Sequence, residues 1–248
     1  MRKLLVLTGK ELKFYFLSPV AYITLAAFLA VTGYLFYIFV GLLSSPGIPA
    51  AISVTKLFFG GTWLFWVLLL MIPSAITMRL FSEEHKTGTI EILLTSPVKK
   101  WHIILSKFIA GYLFFLFLWV PTILYVLIVY LFGKPDPGPI ISAYIGIAFA
   151  GLVLISIGTF TSSLTKNQLV AYMLAIAICF IFLTIGIMED FVTQSDGKAV
   201  LSYLSLPNNF SNFPSGIIDI ESVVYFISLT WLFIFLTFVS FGRGKSNE

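Results

Sequence analysis

The 248-residue chain is 59% hydrophobic and only 10% charged, with a mean hydropathy of +1.02. A soluble domain carries roughly 25% charged residues, so this composition excludes one and describes an integral membrane protein. The net charge of +4 comes from basic residues gathered on particular loops, which reads as membrane topology and not as a nucleic-acid surface. A single cysteine, Cys179, excludes an intramolecular disulfide and a cysteine-rich metal site.

Residues 1–19 open with Arg2 and Lys3 ahead of an apolar run, as a signal peptide would, but Lys10, Glu11 and Lys13 interrupt that run too early. On a helical wheel Lys3, Lys10 and Lys13 share one side and Leu4, Thr8, Leu12 and Tyr15 the other. This predicts an interfacial amphipathic helix that ends near Ser18 and Pro19.

Six apolar stretches follow, at 20–43, 57–78, 108–132, 140–164, 169–188 and 223–241, each long enough to cross a hydrocarbon core that needs about 20 residues. If the N-terminus is cytoplasmic, 12 of the 15 basic residues fall on that side, leaving Lys56, Lys134 and Lys198 outside. That bias predicts both termini in the cytoplasm. Within these limits no span contains Asp, Glu, Lys, Arg or His, which argues against an ion-coupled carrier and against an intramembrane enzyme. Energy for any work must then come from elsewhere.

Pro73 and Pro121 lie inside the second and third spans and are candidate kinks. Ala171, Ala175 and Cys179 recur every four residues in the fifth span and form a small-residue stripe for close helix packing, within or between subunits. Residues 189–222 are too apolar to float free, so short outer or re-entrant helices are expected there. Asn209, Phe210 and Ser211 form a glycosylation sequon in name, read here as part of a turn.

Residues 79–107 are the exception to this apolar plan: they hold eight of the 26 charged residues and both histidines. Ser82 is placed to cap a turn carrying Glu83 and Glu84, with Lys86, Thr87 and Gly88 stopping it. A second helix fits 89–95, with Ile90, Leu93 and Leu94 on one face and Glu91 on another, and Ser96 and Pro97 restart the chain before Lys99, Lys100 and Trp101. His85 and His102 read as surface residues and not as metal ligands. Gly244, Lys245 and Ser246 do not make a P-loop, because Val239 stands where its first glycine belongs.

The order Arg79-Leu80-Phe81, Glu83-Glu84, Gly88-Thr89, Glu91, Leu93-Leu94, Ser96-Pro97 and then Lys107 resembles the permease subunits of type-2 ABC exporters, and among them the gliding-motility type. The resemblance implies an all-α polytopic membrane protein: one transmembrane domain over 1–248, with six transmembrane helices, an interfacial helix at 1–19, a cytoplasmic coupling helix within 79–107 and short outer helices at 189–222. It also implies a bacterial inner-membrane location, a second permease chain, identical or related, and a separate ABC ATP-binding subunit that binds ATP and Mg. This chain would bind no cofactor and no nucleic acid and would catalyse nothing itself. Glu83, Glu84, Gly88, Thr89 and Glu91 would contact the ATPase, with the amphipathic N-terminal helix as a second contact. The alternative is a structural anchor of a motility or surface machine, driven by the same ATPase without substrate transport.

Overall fold

The computed structural model describes residues 2–43, 58–90, 98–132, 135–188 and 195–243, and every regular element among them is helical. Helix α1 (Arg2–Leu17) stops at Ser18, and α2 (Pro19–Leu43) restarts at once. Proline offers no N–H and has a fixed φ, so it ends one helix and seeds the next. The Ser18 carbonyl accepts the Ala21 N–H at 3.1 Å as the first bond of α2.

Helix α3 (Trp63–Thr77) runs through Pro73 without a break and hands over, across a tight turn at 78–81, to the short α4 (Ser82–Thr87). Helix α5 (Lys100–Trp119) gives way at Pro121 to one 3-10 turn, Val120–Thr122, before α6 (Ile123–Phe132). Helices α7 (Pro137–Leu164) and α8 (Gln168–Thr184) are capped by Asp136 and Asn167, whose side chains accept the N–H groups of Gly138 and Leu169. The outer segment holds α9 (Ser195–Leu204), α10 (Leu206–Phe210) and a 3-10 turn, Phe213–Ser215, before α11 (Ile220–Arg243).

Five helical stretches are long and apolar enough to cross a membrane: Ala21–Leu42, Trp63–Thr87, Lys100–Leu131, Pro137–Leu164 and Ile220–Phe241. The stretch expected as a fifth span at 169–188 forms α8, which has 17 residues, or roughly 26 Å against a core of about 30 Å. Beyond Thr184 the helix gives way to a turn, in which Gly186 lies so close to Ser205 that a Cβ there would come within 2.4 Å of its hydroxyl.

The third span corrects the sequence reading. Its helix begins at Lys100, eight residues before the apolar run, so Lys107 stands on the second turn of a spanning helix rather than outside it. Counting apolar residues stops at a charge, whereas a helical backbone satisfies its own hydrogen bonds straight through one.

Helix α7 is the centre of the bundle and approaches its neighbours through small residues. A Cβ on Gly151 would lie 2.2 Å from Phe115 of α5, and one on Gly158 only 1.9 Å from Thr77 of α3, so backbone meets side chain directly there. One end is closed by Leu206, Phe210 and Phe213, all fully buried, with Phe210 edge-on to Trp66 at 5.3 Å. Asn209 Nδ2 donates to the Tyr203 and Ser205 carbonyls at 2.8 and 2.9 Å, which fixes it as part of that turn. At the opposite end Phe241 of α11 meets Phe81 at 5.1 Å, so the end of α11 and the α3–α4 turn lie together.

Candidate functional site

Three helices converge on one buried cation. Lys107 on α5 belongs to the same inward register as Ile104, Gly111 and Phe114, and it is 3% exposed. Its Nζ lies 2.8 Å from Glu84 Oε1 of α4 and 3.2 Å from Glu11 Oε1 of α1, and 5.5 Å above the ring of Phe81. An unpaired ammonium at this depth would cost several kcal/mol, and two carboxylates at ion-pair distance together with an aromatic face offset that cost. Each carboxylate side chain is 19% exposed, although Glu84 Oε2 itself is buried.

Helix α1 is held to the same place by Tyr15. Its hydroxyl donates to the Ile76 carbonyl at 2.9 Å, one of the last carbonyls of α3, which lack partners of their own within the helix. Its ring stacks on Phe114 of α5 at 5.0 Å. Burial, reinforced by the Glu11 carboxylate, holds the Tyr15 hydroxyl well above its ordinary range, so it remains a donor at any physiological pH. Leu5, Val6, Phe14 and Leu17 stay exposed on the outer face of α1, beside Lys10 and Lys13.

The start of α4 corrects a second expectation. Ser82 does not cap this helix: its hydroxyl donates back to the Met78 carbonyl. The free N–H groups of Phe81 and Ser82 instead meet Ser162 Oγ of α7, at 3.0 and 3.2 Å, and that hydroxyl donates in turn to the Met78 carbonyl at 3.2 Å. A cap supplied from 80 residues away ties α4 to the central helix, whereas local spacing points only to a nearby hydroxyl. The end of α4 follows expectation, since Gly88 takes the left-handed conformation at φ 71°.

Of the residues singled out beforehand, Glu84 enters the Lys107 junction, Glu83 is half-buried beside it, and Gly88 and Thr89 sit exposed at the tip. Glu91 and the rest of the expected second helix, with Ser96 and Pro97, lie outside the described residues, as do 189–194 of the outer segment. Ala171, Ala175 and Cys179 are buried within this chain, on a helix that packs against α7 and α3. Sequence reasoning missed Glu11 and Ser162, and took Lys107 only as the foot of a span. The signal for Glu11 was present: it falls between Thr8 and Tyr15, a lone acid on the face of α1 that turns inward.

The family model for ABC-2 family transporter proteins matches residues 53–245. The chain is 26% identical over 203 residues to the "Probable multidrug ABC transporter permease YbhS" of Escherichia coli strain K12, and equally to the protein of that name from Escherichia coli O157:H7. Those alignments cover 74% of this chain and 52% of the relatives, so the chain spans about half the length of the curated relatives it matches. A match over most of its length, on an all-helical bundle with several membrane-crossing helices, means that the chain belongs to the ABC-2 transporter family as a membrane-spanning permease.

Proposed function

We propose that this permease is driven by a separate ABC ATP-binding subunit, which binds ATP and Mg, and that force enters through α4 and α1. Both helices grip α5 through Lys107, and that single observation carries the reading. A displacement of either helix must break an ion pair to the buried Lys107 or move α5 with it, and the second course costs less. Glu83, Gly88, Thr89 and Glu91 would form the face toward the ATPase, next to the pair that holds α4 in place.

The finer architecture belongs to the same proposal. Helix α8 completes six spans, both termini are cytoplasmic in a bacterial inner membrane, and α1 lies in the interface with Leu5, Val6, Phe14 and Leu17 toward lipid. Two permease chains, identical or related, form the pathway, and its output is export or gliding-motility work. The name of the Escherichia coli relatives, a probable multidrug ABC transporter permease, supports transport as that output.

The test is Glu84→Gln, which removes the ion pair between α4 and α5 while leaving Lys107 paired to Glu11. The account expects normal membrane levels and co-purification with the ATP-binding subunit, with at least a tenfold loss of ATP-driven output per ATP hydrolysed. Unchanged output would contradict it.

A further inference from the structure

A cavity of about 280 Å³ lies at the end of the bundle away from Lys107, between α9, α10, the turn that follows them and the start of α11. Its wall is held in shape by two sets of hydrogen bonds. Tyr225 Oη of α11 donates to the Leu204 carbonyl at 2.9 Å, and Asn209 Nδ2 donates to the Tyr203 and Ser205 carbonyls at 2.8 and 2.9 Å.

Those last two bonds fix which way the Asn209 amide points. Both of its N–H groups are taken, so Oδ1 is the atom left for the cavity that the residue lines, and it has no partner among the described residues. Asn209 as a whole is only 8% exposed. Ser222, 4% exposed, lines the same cavity with a hydroxyl that likewise has no partner among them. Both atoms stay open to solvent. Polar groups on side chains this buried are nearly always paired, so two open ones facing one cavity are places for the hydrogens of a guest.

The acids of the wall say what kind of guest. Asp219 accepts from Asn212 Nδ2 with one carboxylate oxygen and keeps the other, and Glu221 keeps both. Neither is in an ion pair among the described residues, and none of the described lining residues is basic. Acids in the first turn of a helix need no ligand of themselves, because the N–H groups there already favour them. Beside Asn209 and Ser222, however, they make a wall rich in free acceptors. A neutral sugar brings two lone pairs with each hydroxyl hydrogen, whereas a primary ammonium brings three hydrogens and no lone pair, and its charge strengthens each bond to a carboxylate. A bare metal ion would fill a small part of a volume equal to roughly nine waters at about 30 Å³ each. From these features we propose that the cavity is a binding site for a small organic cation carrying primary ammonium groups, held between Asn209 Oδ1 of α10 and Ser222, Asp219 and Glu221 at the head of α11. Bound there, the cation ties α10 to α11. The site stands apart from the force path through Lys107.

Isothermal titration calorimetry on the full chain, purified in detergent and held in an amine-free buffer near neutral pH, tests this with putrescine, its bis-trimethylammonium analogue, the neutral butanediol of the same length, glucose and calcium chloride. Putrescine should saturate a single site and bind at least tenfold more tightly than each of the other four. Ser222→Ala removes a hydroxyl that has no protein hydrogen bond to lose, and Glu221→Gln neutralises an exposed acid, so both should keep the melting temperature of the ligand-free chain. Each should weaken putrescine binding at least threefold. The absence of saturable putrescine binding, a bis-trimethylammonium analogue, diol or sugar bound as tightly as putrescine, or a folded Glu221→Gln, Ser222→Ala double variant that binds like the parent would each overturn the site. Calcium bound as tightly as putrescine or more so would make it a metal site and overturn the proposal as well.

Discussion

Lys107 is the residue on which the interior of this membrane end depends. Replacing it by methionine leaves Glu84 and Glu11 facing each other without a cation, which costs about 3 kcal/mol, the low end for a broken buried pair because both acids keep some contact with water. The melting temperature of purified Lys107→Met should drop clearly, and the neutral triple variant Lys107→Met, Glu11→Gln, Glu84→Gln should recover most of the loss. A single variant as stable as the parent would remove the junction from the account. Tyr15→Phe is a smaller change, since one hydrogen bond to the Ile76 carbonyl is worth about 1 kcal/mol. Glu11 and Lys107 were legible one at a time, as charges on inward faces of two helices. Their pairing was not, because 96 residues separate them and nothing local links the two.

Single helices were legible wherever their signals are local. Pro19 and Gly88 mark ends that the structure keeps, while the start of α4 depends on Ser162 of another helix and so has no local signature. Close packing was legible in part: the stripe on α8 is periodic, but the tight contacts of α7 at Gly151 and Gly158 show only once its neighbours are in place. Three glycines therefore respond differently to substitution. Gly158→Ala drives a methyl into Thr77 and should cost about 1–3 kcal/mol or more, as overpacking does. Gly9→Ala meets nothing within 4 Å in the middle of α1 and should stabilise by about 0.5–1 kcal/mol. Gly88→Val also meets nothing, so it should insert normally, but it strains a left-handed backbone and should tilt α4 enough to uncouple the ATPase. Thermal melting distinguishes the first two, and the coupling assay, with Lys99→Gln as the control, reads the third.

For the whole molecule, composition announced the class and the hydrophobic runs announced most of the spans, since length and apolarity are what a bilayer demands. Span limits were less legible, because a helix carries charges such as Lys107 inside when partners await them. Orientation is testable directly. Asp136 and Asn167 are the exposed N-caps of α7 and α8 and lie beyond opposite ends of α7, a helix of 28 residues and roughly 42 Å. Single cysteines at these positions in a Cys179→Ala background should label from opposite sides of the membrane with an impermeant thiol reagent, and labelling of both from outside would contradict six spans with cytoplasmic termini.

The most direct measurement of the central claim is hydrogen exchange along the chain, in complex with its ATP-binding subunit, with and without ATP and Mg. If α4 and α1 move the bundle through Lys107, ATP should change exchange in the parent chain both at α4 and at the far end, in α10 and residues 211–219. In Glu84→Gln the change at α4 should remain and the change at the far end should be lost. A far-end response to ATP that survives Glu84→Gln at full size would contradict the account.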